Sequence, residues 1–458
     1  MRKAFLLSIT LMLGFGGALQ AQILTQSPYS RFGIGETFFQ GFADQQAMGQ
    51  TGVAMRNSLN MYLLNPASYS ALSKTNFRFG ALSYFGTIAQ GQQRLHTNGA
   101  GVNYLAIGFQ VNKKKTWGFS MGAIPYSNIG YNITYQHDSA HGNYTDVLSG
   151  NGGISRYYIG TGFSLGKHFS LGLQWSYLHG NVDFSRALEY PAGDSRLNYK
   201  ESSIEFVHGQ LLQGGAQYYF KDKFIYKKGL FNKKHKGEKD TVMLRHQFGA
   251  TYSVSSQLHN ERTFYARNYV LSSGNEYTLD TILLDNSQTA NTALPSSLAF
   301  GYVLNANDGK WRLALDYTYS QWSAFRSPYE SQNLQNSWKA GAGYGFRPSQ
   351  TADYSKHFAR TLFATTEYRF GARYGKTFLN VNNTDITELG ISFGLGIPLR
   401  MRTVNEEFRY EYVLSSLDIS VEYMQRGTLT NNLIKENYWR FAVGVSLNDK
   451  WFNKRKIE

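Results

Sequence analysis

Residues 166–180 read "GKHFSLGLQWSYLHG", and taken every second residue the stretch separates cleanly. Phe169, Leu171, Leu173, Trp175 and Tyr177 fall on one side; Ser170, Gly172, Gln174 and Ser176 fall on the other. Side chains alternate between faces along a strand, so this is a strand with one apolar face and one small, polar face. It is too polar to cross a membrane as a helix and too apolar to be a loop. The fold turns on which solvent the apolar face meets.

The alternation recurs along the chain. In 103–112, Leu105, Ile107, Phe109 and Val111 oppose Tyr104, Ala106, Gly108 and Gln110. In 310–322, Trp311, Leu313, Leu315, Tyr317 and Tyr319 oppose Arg312, Ala314, Asp316, Thr318 and Ser320. In 438–447, Trp439, Phe441, Val443, Val445 and Leu447 oppose Arg440, Ala442, Gly444 and Ser446. The same template predicts strands near 75–87, 98–111, 115–127, 153–165, 168–180, 203–220 and 242–257, and again near 295–305, 310–323, 336–347, 357–371, 386–397, 410–425 and 437–447. Segments of ten or more residues suit a tilted bilayer crossing. Short connections (112–114, 166–167, 306–309, 348–356, 398–409) alternate with longer polar ones (88–97, 128–152, 181–202, 324–335, 372–385, 426–436), the asymmetry of periplasmic turns and outer loops. Residues 221–241 are long on the short-turn side.

The expected fold is therefore all-β: a 14-stranded antiparallel transmembrane β-barrel over 75–447, its apolar face toward lipid. A soluble β-sandwich would use strands of about five or six residues in much smaller domains, and charged and glycine residues on the inner face suit a lumen better than a sandwich core. The 458-residue chain has 46 Gly, 16% aromatics and no Cys, with a mean hydropathy of −0.39. Lack of Cys excludes a disulfide framework, a thiolate metal site and a lipoprotein anchor cysteine. Arg2 and Lys3 precede the apolar run "AFLLSITLMLGF" and small residues up to Ala21; this reads as a secretory signal peptide over 1–21, its core too short for a membrane helix. Residues 448–458 are expected as a periplasmic C-terminal tail.

Residues 47–72, "AMGQTGVAMRNSLNMYLLNPASYSAL", resemble the N-terminal plug of the long-chain fatty-acid transporter (FadL-type) family. A small-residue run with Gly49 and Gly52 leads there to an Asn-Pro-Ala motif, here Asn65, Pro66 and Ala67. "LPSSLAFGYVL" (294–304), followed by a tryptophan strand ending in Trp322, Ser323 and Phe325, matches a second family pattern. The stretches 27–36 and 390–400 and the ending "NDKWFNKRKIE" look like the family's branch in Bacteroidota-type bacteria. The resemblance implies that 22–74 form a plug (hatch) inside the lumen. It also implies an outer-membrane location and passive uptake of small hydrophobic, fatty-acid-like compounds. In strand three, Pro125 cannot donate a ladder hydrogen bond and Gly122 permits a bend; the resemblance makes this kink the place of lateral release into the bilayer.

The inner face carries Arg156, Arg245, Arg312, Lys339, Arg369 and Arg440 with Asp316, Glu367, Glu388, Asp418 and Glu422. Arg156, Arg312, Lys339, Arg369 and Arg440 are candidates to face an anionic head group; the alternative is a structural ion-pair lattice, since the two signs nearly cancel. His137, Asp138 and His141 are a weak metal pattern, and neither a nucleophile elbow nor a nucleotide loop in its proper context appears. The expectation is a non-enzyme without metal or cofactor. The run 221–239 holds eight Lys against Asp222 and Glu238. In a periplasmic turn it would touch anionic lipid heads or an outer-membrane or periplasmic protein partner rather than nucleic acid. A second function class stays open: a non-transporting scaffold or accessory subunit of an outer-membrane protein export or assembly complex.

Overall fold

A computed structural model describes residues 25–112, 114, 116–138, 142–191, 193–227, 239–306, 309–329, 332–349, 358–404 and 410–449. The expected signal peptide, residues 22–24, most of the basic run and the tail from 450 lie outside the described residues.

Sixteen strand segments make the wall. They are β1 (Thr75–Gln90), β2 (Gln93–Gln110), β3 (Trp117–His137), β4 (Tyr144–Leu165), β5 (Phe169–Glu189), β6 (Asn198–Lys227), β7 (Lys239–Ser253) and β8 (Ser256–Ser272). The chain continues through β9 (Asn275–Leu294), β10 (Ser297–Ala306), β11 (Trp311–Ser320), β12 (Ser337–Phe346), β13 (Glu367–Val381), β14 (Thr384–Val404), β15 (Tyr410–Gly427) and β16 (Ile434–Asp449). All pairings are antiparallel, and β16 closes on β1 from Asp449↔Thr75 to Ile434↔Gln90. The segments form fourteen staves. β7 and β8 both lie against β6, β7 along its end from Gln213 and β8 along its start up to Gly209. β9 pairs with β8, and β10 with β7 and β11. Pro295, with no N–H and a fixed φ, stands between β9 and β10.

The count of fourteen staves follows the sequence reading; the lengths do not, and the hairpin of β8 and β9 over Ser256–Leu294 is not among the expected strands. The stretches 128–152, 181–202 and 372–385 are largely continuations of paired strands, such as Tyr131↔Gly150 in β3–β4 and Asp183↔Ile204 in β5–β6. Polar residues there face outward, as Asn181 and Asp183 do, while Ile129, Val182, Ala187 and Leu379 are buried on the inner side, so the apolar outer row ends without breaking the ladder. The expected strand 357–371 is corrected: Phe358–Thr365 is a helix and the strand begins at Glu367. "FARTLFAT" has helical spacing of Phe358, Leu362 and Thr365, so a period of 3.6 governs there instead of 2.

The opening stretch answers its own question of sidedness. Leu173 is 51% exposed and Gln174 fully buried, and the alternation holds through Phe169, Leu171, Trp175 and Tyr177 outside, Ser170 and Ser176 inside. Inside the wall, residues 25–74 touch strands from every side: Asp44 meets β1, Gly49 meets β14, Gly52 meets β11 and Asn65 meets β6 and β7. The wall's inward glycines are what allow this. A Cβ at Gly172 would come 2.3 Å from Ala67 N, one at Gly249 2.3 Å from Val53 O, and one at Gly371 1.9 Å from Gly49 N. These glycines are slots for the segment's backbone. Gly371→Val should therefore expel 25–74 from its seat. Limited proteolysis should cut the segment in that variant and spare it in Gly214→Val, where a Cβ meets nothing within 4 Å.

Candidate functional site

The small-residue run and the Asn-Pro-Ala motif each have a mechanical role. Gly49 takes φ +66°, and a Cβ there would strike Ala372 O at 2.5 Å and Ala342 O at 2.6 Å; only glycine suits both. The amides of Gly52 and Val53 donate to Asp316 Oδ2 at 2.6 and 2.9 Å. Asn65 caps the 3₁₀ turn Pro66–Ala71: its Oδ1 accepts from Ala67 N at 3.0 Å, with proline at the first helical position where a missing N–H costs nothing. Its Nδ2 reaches Val53 O at 2.9 Å and Ala216 O at 3.1 Å, so one buried side chain ties the turn to the segment and to the wall.

The inner charges divide into two groups. Most form buried networks. In one, Arg369 bridges Asp418 (2.6 Å) and Glu367 (3.1 Å), Arg312 and Arg347 also reach Glu367 (3.7 and 3.1 Å), and Arg78 joins Asp44 (3.0 Å) to Asp418 (3.9 Å). In the other, Arg373 holds Glu422 (2.6 Å) and Glu388, Arg440 holds Glu36 (2.6 Å), and Arg426 holds Glu436 (2.6 Å) and Glu36 (3.4 Å). Of the five candidate cations, Arg312, Arg369 and Arg440 thus belong to the lattice. Arg156 and Lys339 do not. Arg156 donates to Ser176 Oγ (2.9 Å), Gln213 Oε1 (3.3 Å) and Gln40 Oε1 (3.4 Å), and Lys339 to Gln50 Oε1 (3.0 Å). Among the described residues neither has a carboxylate oxygen within 4.0 Å.

Both line a cavity of about 350 Å³ together with Phe38, Phe39, Tyr126, Trp338 and Phe378. A second cavity of about 460 Å³ includes Arg31, Phe184, Arg262, Phe264 and Tyr329. A buried apolar cluster stands between them, with Tyr29, Leu211 and Trp322 on the first cavity and Ile34, Val207 and Phe325 on the second.

Pro125 sits in mid-strand, not at a strand end. β2 pairs with β1 along nearly its whole length, from Gln93 to Gly108, but with β3 only over Leu105–Gln110 against Ala123–Gly118. Beyond Ala123 the two strands part, and the β3–β4 ladder shifts register between Pro125 and Ser127. Residues 30–40 occupy the freed edge of β3. Glu36 and Thr37 pair with Asn128 and Ser127, Phe38 N donates to Tyr126 O (3.0 Å), and Gln40 Nε2 donates to Pro125 O (3.0 Å). The 350 Å³ cavity lies directly behind, since Glu36, Thr37, Phe38, Gln40 and Tyr126 all line it. Gly122 marks the last close rungs: a Cβ would lie 2.4 Å from Leu105 O, so its role is close approach of strands rather than bending.

The family model described as BamG matches residues 1–458. The chain belongs to the BamG family. A comparison with curated proteins found no match. Among solved structures it is similar to a FadL homologue of Pseudomonas aeruginosa (TM-score 0.56, 12% identity) and to the CymD monoaromatic hydrocarbon channel (0.55, 12%). A third is the toluene transporter TodX of P. putida (0.53, 14%). Each alignment covers 91% of this chain and 100% of the other. At these identities the likeness is one of fold, so the FadL-type resemblance holds for architecture while the family is BamG.

Sequence reasoning missed Asp44, Arg78, Arg373, Arg426 and Glu436. Arg373 and Arg426 lie just past the expected strand ends, yet in phase with Arg369 and Glu422; following the alternation two residues further would have found them. The partnership of Asp44 with Arg78 had no sequence signal. His137 stacks on Tyr144 at 4.7 Å, and no cluster of three metal-ligating side chains exists among the described residues; His141 lies outside them.

Proposed function

We propose that this BamG-family barrel sits in the outer membrane and passively takes up small hydrophobic compounds carrying an anionic head, fatty-acid-like in chemistry. In this reading residues 22–74 are the plug, 1–21 are a removed signal peptide, and the Bacteroidota-type motifs name the source lineage. The parted β2–β3 seam is the lateral exit. The observation that carries it is the cavity behind that seam, which sets aromatic walls beside Arg156 and Lys339, neither within 4.0 Å of a carboxylate among the described residues, in a lining that also holds Glu36, Asp316 and Glu388 with Arg373, Lys376, Arg426 and Arg440. A site for an amphipathic ligand needs an apolar cleft with few, well-placed polar groups. The solved neighbours described as hydrocarbon channels and a toluene transporter are consistent with the fold being used this way. The chemistry is binding and passage, with no catalytic group or cofactor invoked.

Arg156→Gln combined with Lys339→Gln tests the head-group assignment. Hydrogen bonds to charged groups contribute about 1.5–3 kcal/mol, so uptake of a fluorescent fatty-acid anion should fall about tenfold or more. Uptake of a neutral aromatic hydrocarbon should be little changed. Equal loss for both probes would remove the two cations from ligand recognition.

A second reading, the non-transporting scaffold or accessory subunit of an export or assembly complex, draws on the ion-pair lattice that pins the segment to the wall. It expects no uptake by wild type and a stoichiometric protein partner. The Lys-rich run 221–239 is the surface this reading would use.

A further inference from the structure

The ribbon formed by β8 and β9 carries a feature that neither reading absorbs. β9 pairs along its length with β8. Its other edge has no ladder partner among the described residues except at its base, where Ala293 and Arg326 form a single bridge. From Asn275 to Asp285 every residue but Asp285 is exposed, and five of those ten are apolar: Tyr277, Leu279 (56% exposed), Ile282, Leu283 and Leu284 (60% exposed). Edge strands ordinarily guard such an edge with lysine or proline; β9 contains neither, nor any Arg or His. It does carry three register shifts, between Thr278/Asp280, Thr281/Leu283 and Asp285/Gln288. Bulges twist an edge away from flat partners, so this edge does not accept any strand indiscriminately.

Its charge specifies the occupant. The acidic residues of β9 are Glu276, Asp280 and Asp285. Glu276 is neutralised by Lys200 at 2.7 Å and by Arg267. Asp285 is met only by the neutral Ser287 and Gln288. On a chain of formal charge +15, this is a local acidic, apolar edge. A second copy would bring carboxylates against carboxylates, and an anionic lipid surface would be repelled. We propose that the free edge of β9 docks an extended basic segment of another protein, which adds a strand to the sheet. Main-chain hydrogen bonds supply the affinity, alternate apolar side chains the grip, and lysines or arginines opposite Asp280 and Asp285 the selectivity.

The test uses the full chain in detergent micelles and a synthetic peptide of about ten residues, alternating Val and Lys. Hydrogen exchange of the 275–285 amides should slow about tenfold or more when the peptide is added. The effect should vanish with an alternating Val–Glu peptide, with a Val–Lys peptide N-methylated at every second amide, and in the Asp280→Lys/Asp285→Lys variant. The N-methylated peptide keeps the test independent of variant folding. The proposal is overturned if the Val–Lys peptide gives no protection or if the Val–Glu or N-methylated peptide protects equally. It is also overturned if protection needs no peptide and rises with protein concentration, making a second copy the occupant, or if only anionic phospholipid vesicles confer it.

Discussion

Leu173→Arg should destabilise the barrel in a bilayer by about 2–4 kcal/mol, the cost of a basic side chain on the lipid face near the midplane. Leu173 lies four residues above the start of β5 at Phe169, roughly 13 Å along the strand; in the proposed membrane setting, with Phe169 at the foot, that is near the middle of an apolar band about 25 Å tall. Phe169→Arg, at the foot of the same row, should cost about 0–1 kcal/mol. Folding titrations of both variants into lipid vesicles measure the difference. Equal costs would mean that this exposed row does not traverse a hydrocarbon layer. Gln174→Arg is unsuitable as an inward control: Gln174 is fully buried and accepts a hydrogen bond from the Tyr69 hydroxyl at 2.9 Å.

Arg369→Met should cost more. Arg369 is 4% exposed and holds Asp418 at 2.6 Å and Glu367 at 3.1 Å, both equally buried. Without Arg369, Glu367 keeps Arg312 and Arg347, but Asp418 is left with Arg78 at 3.9 Å as its one cation among the described residues, and breaking a buried pair costs about 3–5 kcal/mol. Adding Asp418→Asn should recover part of the loss, because the carboxylate left with the longer contact to Arg78 disappears. The exposed pair Arg196–Asp194, 2.6 Å apart, is the contrast: its removal should leave stability nearly unchanged. Urea titration of the refolded barrel reads all three, and a small effect for Arg369→Met would mean that water reaches the lattice.

The barrel was legible because β5, β11 and β16 each bury one face and expose the other, writing a period of two into the sequence. That signal fades where the outer row turns polar while the inner one, with Ile129, Val182, Ala187 and Leu379, stays buried, which is why the upper parts of β3, β4, β5 and β13 read as loops. The Asn65-Pro66-Ala67 motif was reached by family resemblance, and that Asn65 caps the turn after it is a feature of the structure. The ion-pair networks were only half so: Arg369 and Asp418 share a face by phase, but the carboxylates of Glu36 and Asp44 come from a segment whose path through the barrel depends on long-range packing. The parting of β2 from β3 had one local sign, Pro125; that the segment at Glu36–Thr37 fills it had none.

The proposed lateral exit between β2 and β3 is filled at the edge of β3 by residues 36–40, so passage by that route requires them to move aside. Thr37 and Ser127 are register partners, within reach of a disulfide, and the chain has no native cysteine to compete. In cells carrying Thr37→Cys/Ser127→Cys, oxidation should abolish uptake of a fluorescent fatty acid and a reductant should restore it, with each single-cysteine variant unaffected. Uptake that continues at the wild-type rate through quantitatively cross-linked barrels would contradict the account.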